Sequence, residues 1–177
     1  NKIVLQNSDS LLLQPGKNIS KHSFIIPNAQ RWSPSNPNLY NFSVEVNNKD
    51  AEIIRFGLRE LTIKDNQFIL NNKPIYIKAA FFEGLYPTKL AIPDSKEMAI
   101  KEITLAKEAG FNMIRPWRKP PPKMWLDLCD ELGMMVIGGM PIECMKLWPT
   151  ITPDTPRRIK HEVSSSIIRD RNRACIV

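Results

Sequence analysis

The chain has 177 residues, 42% hydrophobic and 24% charged, a balance that suits a packed globular fold and excludes a wholly disordered one. No apolar run approaches the roughly 20 residues that span a bilayer, so no membrane partner is implied. The net charge of +7 raises the question of nucleic acid. The late basic residues Arg157, Arg158, Lys160, Arg169, Arg171 and Arg173 are, however, interleaved with Asp154, Glu162 and Asp170 and have no aromatic companions. That pattern reads as a solvated helix face, with no nucleic-acid partner.

In chain order, the first sixty residues read as β-structure. Short apolar runs at Ile3–Leu5, Leu11–Leu13 and Phe24–Ile26 alternate with Asn, Ser, Pro and Gly, and residues 41–46 alternate polar and apolar with the period of a half-buried strand. These strands are too few to close a sandwich, so residues 1–60 are expected to be the C-terminal part of one, with edges left to pair elsewhere. Residues 61–80 predict two strands and a third, joined by turns at Asp65-Asn66 and Asn71-Asn72, residue types that tolerate left-handed backbone. The third is expected to run from Pro74 to Ala80.

The rhythm then changes. Asp94-Ser95-Lys96-Glu97 has capping-box spacing and opens a helix with Ala99, Ile103 and Ala106 on one side, stopped at Gly110. A strand follows at 111–115, a helix from Pro120 to Gly133, a strand at 134–139, and a helix from Thr155 with Ile159, Val163 and Ile167 spaced four apart. Ile176-Val177 begins another strand. Continuous apolar strands alternating with helices predict a parallel sheet covered by helices, either an open doubly wound sheet or a (β/α)8 barrel. No Gly-rich phosphate loop follows the first strand, which weakens the nucleotide-binding alternative. Three widely spaced cysteines, Cys129, Cys144 and Cys175, fit neither a disulfide framework nor a metal site, so no cofactor and no metal are expected. His22 and His161 have no partner suited to chemistry. Because a basic helix end runs into an apolar segment with no closing turn, the chain also reads as an internal excerpt. Periplasmic, extracellular and cytoplasmic placement all fit, as does a homo-oligomer.

Several ordered segments carry a family resemblance. They are Trp32-Ser33-Pro34 with Pro37-Asn38-Leu39-Tyr40, then Phe56-Gly57-Leu58-Arg59-Glu60, and Phe68-Ile69-Leu70-Asn71-Asn72-Lys73-Pro74. Gly110-Phe111-Asn112-Met113-Ile114-Arg115, Leu128-Cys129-Asp130-Glu131-Leu132-Gly133 and Arg169-Asp170-Arg171-Asn172 complete the set. Together they resemble glycoside hydrolase family 2, which includes β-galactosidases, β-glucuronidases and β-mannosidases. The resemblance implies an immunoglobulin-like β-sandwich over residues 1–60 and the first half of a (β/α)8 TIM barrel over 61–177. It also implies retaining hydrolysis of β-glycosidic bonds, with both catalytic carboxylates beyond Val177, so the 177 residues alone should be inactive and need the remainder of their own chain. An alternative reading is a non-catalytic carbohydrate-binding or structural module derived from such an enzyme.

The sequence departs from the family at Ala79-Ala80-Phe81-Phe82-Glu83, at Pro116-Trp117-Arg118-Lys119 and at Arg173-Ala174, the first two on the sugar-binding face. The candidate substrate-binding residues are Arg115 and Trp117 at the end of the second barrel strand, Glu83 after the first, and Glu143 and Trp148 after the third. Arg115 would support the catalytic carboxylates, the tryptophans would stack on sugar rings, and the glutamates would contact sugar hydroxyls. Asp130-Glu131, at a helix end on the opposite face, reads as structural.

Overall fold

The computed structural model describes residues 3–47, 50–117, 119–140 and 151–177. These divide into two units, one ending at Gln30 and one running from Arg31 to Val177.

The first unit contains no helix or strand among its described residues. The strands expected at 3–5, 11–13 and 24–26 are absent, because the apolar runs find no backbone partner to complete a ladder; Leu12 is 90% exposed. Local order comes instead from side chains. The Asn18 amide donates to the Gln14 and Gly16 carbonyls and accepts from the Gln14 N–H, closing a short turn.

The second unit opens with a hairpin of β1 (Tyr40–Val46) and β2 (Asp50–Phe56), antiparallel with Tyr40 opposite Phe56. A second antiparallel sheet follows, with β3 (Leu61–Lys64), β4 (Gln67–Leu70) and β5 (Lys73–Pro74) in that order. Its turns use Asp65 and Asn66 at φ 50° and 59° and Asn71 and Asn72 at φ 53° and 68°, the left-handed pairs that a two-residue hairpin requires. The strand expected over 74–80 is two strands. Pro74 ends the hairpin, and β6 (Ala79–Phe82) begins a different sheet after a short extended link.

That sheet is parallel, in the order β6, β7 (Met113–Pro116), β8 (Met135–Val136), and Ile176 makes a parallel bridge to Val136. Strands therefore add in sequence order with no reversal. The connecting helices, α1 (Lys96–Glu108) and α2 (Lys123–Leu132), pack against each other and contribute to one core. A doubly wound sheet needs a reversal of strand order and helices on both faces, so the arrangement is that of a barrel whose sheet is open. Ser95, rather than Asp94, caps α1 by accepting from the Met98 N–H at 3.2 Å, while the Asp94 carboxylate is taken by the Lys89 N–H. Gly133 ends α2 in the left-handed conformation at φ 71°. The last helix, α3 (Thr155–Asp170), buries only Asp170 fully, and Ile167 remains 54% exposed. Its basic residues are not all solvated: Arg169 donates to the Pro121 carbonyl, and beyond the helix Arg173 pairs with Asp127 and Asp130 of α2.

Residues 31–60 are seated on the end of the barrel sheet where the strands begin. Trp32 is fully buried, and its indole N–H donates to the Asp130 carbonyl at 2.8 Å. Arg59 donates to the Ala174 carbonyl at 2.6 Å and to that of Ile176. Arg55 of β2 meets Asp127 at 3.1 Å and Glu131 at 2.5 Å on α2. Two glycines mark where backbones touch: a Cβ on Gly57 would lie 2.6 Å from the Ala174 Cβ, and one on Gly133 would lie 2.4 Å from the Pro34 carbonyl oxygen. In the intact protein, Trp32→Ala should cost about 3–5 kcal/mol through cavity formation. Gly133→Ala should cost about 1–3 kcal/mol through strain at a left-handed position. Urea denaturation measures both, and a neutral Gly133→Ala would contradict the close packing on Pro34.

Candidate active-site face of the barrel strands

Parallel pairing sets which side chains share a side of the sheet. Phe81 is opposite Arg115 and Phe82 is opposite Pro116. Phe82 turns to the helices, stacking on Trp125 of α2 with centroids 5.4 Å apart and planes 9° apart. Alternation therefore puts Phe81 and Arg115, both exposed, on the opposite side, which in a closed barrel is the interior. One further ladder bond, from the Trp117 N–H to the Phe82 carbonyl at 2.9 Å, carries the pairing past the strand ends and fixes Trp117 there.

These residues form a cluster. The Arg115 guanidinium carbon lies 5.2 Å from the centre of the Trp117 ring, and Phe81 meets the same ring edge-on at 5.1 Å. Glu83, exposed, follows Phe82 directly and acts on Lys119: burial draws that ammonium below its ordinary range, and Glu83 opposes the shift. Arg115, Trp117 and Glu83 are thus brought to one rim of the sheet. Glu143 and Trp148 lie outside the described residues. Phe81 was not singled out by the sequence, because the apolar run 74–82 hides where the barrel strand begins; its 56% exposure on the Arg115 side is what distinguishes it. A flat apolar ring, a guanidinium and a carboxylate at one edge can hold a polyhydroxylated ring by its C–H face and its hydroxyls. Among the described residues Glu83 is the one carboxylate that immediately follows a barrel-strand end.

On the helix side of β6 and β7 is a shallow concavity lined by Phe82, Tyr86, Pro116 and Trp125 together with Glu83 and Lys119. Of the glycines after β8, Gly139 serves packing: a Cβ there would lie 2.7 Å from the Lys119 carbonyl oxygen and 3.1 Å from that of Pro116. No group of three or more His, Cys, Asp or Glu among the described residues is placed to hold a metal ion.

Other groups are taken up structurally. Asp130 is 4% exposed and accepts the Cys175 N–H at 2.7 Å, while Glu131 receives Arg55. Cys129 and Cys175 are free and buried, and burial followed by the nearby Asp130 carboxylate pushes both thiols well above their ordinary range. A raised folded-state value keeps the thiols protonated. The stability this contributes is complete below the ordinary value of 9.0 and is lost as pH rises beyond it. In the intact protein, Cys129 and Cys175 should resist a disulfide-exchange reagent at pH 8 and react once unfolded. Rapid labelling of either in the native state, located by peptide mass, would show that the α2 packing is open.

Residues 61–177 match the family model described as glycosyl hydrolases family 2, TIM barrel domain, and residues 1–59 match the one described as glycosyl hydrolases family 2. Among solved structures, a glycosyl hydrolase family 2 member from Bacteroides cellulosilyticus is 28% identical with a TM-score of 0.70, covering 86% of this chain and 20% of its own. A β-D-glucuronidase from Dictyoglomus thermophilum is 26% identical with a TM-score of 0.75, covering 86% of this chain and 28% of its own. A GH2 β-galacturonidase from Eisenbergiella tayi, bound to galacturonate, is 25% identical with a TM-score of 0.79, covering 88% and 28%. The chain therefore spans between a fifth and three tenths of the length of these structures. Its fold is a β-sandwich portion followed by the opening strands of a TIM barrel.

Proposed function

This chain belongs to glycosyl hydrolase family 2, and from that membership we propose that the protein carrying it is a retaining β-glycosidase acting on oligo- or polysaccharides. The single observation that supports a sugar-binding role for these residues is the Phe81, Arg115 and Trp117 cluster, placed where the barrel strands end. In this reading residues 1–60 are the closing part of the immunoglobulin-like domain and residues 61–177 the first half of the barrel.

Trp117 offers its ring to the C–H face of the sugar, and Phe81 braces it edge-on. The Arg115 guanidinium donates in a fixed fork, so it orients either a catalytic carboxylate or an acidic substituent of the sugar. Glu83 accepts from sugar hydroxyls. Glu143 and Trp148 are proposed to complete the same face. Retaining hydrolysis needs one carboxyl group to protonate the leaving oxygen and a second, roughly 5 Å away, to attack the anomeric carbon. We assign both to barrel strands outside residues 1–177. The cluster supplies binding and orientation, and the missing pair supplies the chemistry.

The test is hydrolysis of a panel of aryl β-glycosides by the full-length protein, with β-glucuronides and β-galacturonides included because similar structures carry those names. Product of retained anomeric configuration, seen by NMR before mutarotation, is expected; inverted product would reject the mechanism. Trp117→Ala should raise KM about tenfold, which corresponds to the loss of about 1.4 kcal/mol of binding. Residues 1–177 expressed alone should neither hydrolyse these substrates nor melt cooperatively.

A further inference from the structure

Lys119 follows the cluster by two residues and is half-buried. Its ammonium donates to the Gly84 carbonyl at 2.6 Å and to the Ala91 carbonyl at 3.0 Å. Both acceptors belong to the link between β6 and α1, which carries Glu83 at its start. That link is folded on itself: Tyr86 and Leu90 exchange backbone bonds of 2.9 and 3.2 Å, and Leu90 is held at φ 55°, an unfavourable position for a side chain of this size. On its other side the Tyr86 hydroxyl donates to Glu102 of α1 at 2.9 Å. The segment carrying Lys119 is itself confined, since its carbonyl lies too close to Gly139 for any Cβ. Thus one cation joins the links that follow the first and second barrel strands, next to a close approach from the third.

We propose that Lys119 is a positioning residue, tying the Gly84–Ala91 turn to the β7 end so that Glu83 and Trp117 keep a fixed separation across the sugar site. Lys119 does not touch the sugar in this arrangement; both of its described bonds go to backbone carbonyls. The inference rests on the assignment of Glu83 and Trp117 to the substrate face. The bond to the Gly84 carbonyl is partly buried, so loss of the charged donor leaves that acceptor unsatisfied, while the exposed Ala91 carbonyl returns to water and frees its side of the turn.

The experiment compares full-length Lys119→Met, Lys119→Arg, Glu83→Gln and the Met–Gln double variant in steady-state hydrolysis. Native-state trypsin cleavage after Lys89 is followed in parallel. Lys119→Met is expected to raise KM about tenfold while kcat changes less, and to speed cleavage after Lys89, with Lys119→Arg restoring part of both. Combined with Glu83→Gln it should add little, since both act through one contact. Unchanged cleavage after Lys89 in Lys119→Met would overturn the tether outright. Faster cleavage with unchanged KM, or fully additive effects with Glu83→Gln, would overturn the positioning role while leaving Glu83 on the substrate face. A silent Glu83→Gln instead removes Glu83 from the sugar site, and the cleavage rate still decides whether Lys119 holds the turn.

Discussion

The buried indole of Trp32 is the contact on which the second unit is organised. Its N–H reaches the carbonyl of Asp130 near the end of α2, and the carboxylate of Asp130 in turn accepts the backbone of Cys175. One residue of α2 therefore links the segment before the barrel to the point where the chain returns to the sheet beside β8. A buried carboxylate is costly to desolvate unless it is bonded and paired, and here Cys175 and Arg173 meet that requirement. The glycines at 57 and 133 let backbones approach around this contact, and Arg55 and Arg59 close its polar flank.

Everything on the opposite rim follows from that anchoring. With the strand beginnings fixed, register determines which side chains emerge where the strands end. Phe81 beside Arg115 and Trp117 beside Phe82 are consequences of pairing rather than of local preference. In the proposed reading the two ends of the sheet divide the work, packing at one and ligand contact at the other. This is the division expected of barrel enzymes, where stability and chemistry sit on opposite faces.

Much of this was legible in the residues. Asp65-Asn66 and Asn71-Asn72 named their turns because few other side chains accept positive φ, and Gly110 and Gly133 marked helix ends for the same reason. Trp32-Ser33-Pro34 belongs to the set of ordered segments that together carried the family resemblance, and the structure gives Trp32 its physical role. Several features were misread. Apolar runs before residue 30 have strand composition but no ladder partner, and composition does not supply one. The run 74–82 concealed the ends of two strands separated by residues 75–78, so Phe81 passed for a loop residue. Asp94 and Ser95 are equally good caps by type, and only the competing bond to Lys89 decides between them. Ile159 and Ile167 have helical spacing, yet no described residue covers them fully.

Asn112 also bears on how this sheet assembles. Its side-chain oxygen accepts the Lys78 N–H at 2.9 Å, and its amide donates to the Tyr76 carbonyl at 2.8 Å. A side-chain amide here imitates a peptide group, adding a rung to the ladder before the two strands formally meet. Strands joined through a helix must find one another without a tight turn to dictate alignment. A slip of one residue would turn the pleat over and part both halves of the amide from the groups they now meet. The asparagine thus adds to the observed alignment two polar bonds that apolar side chains do not supply.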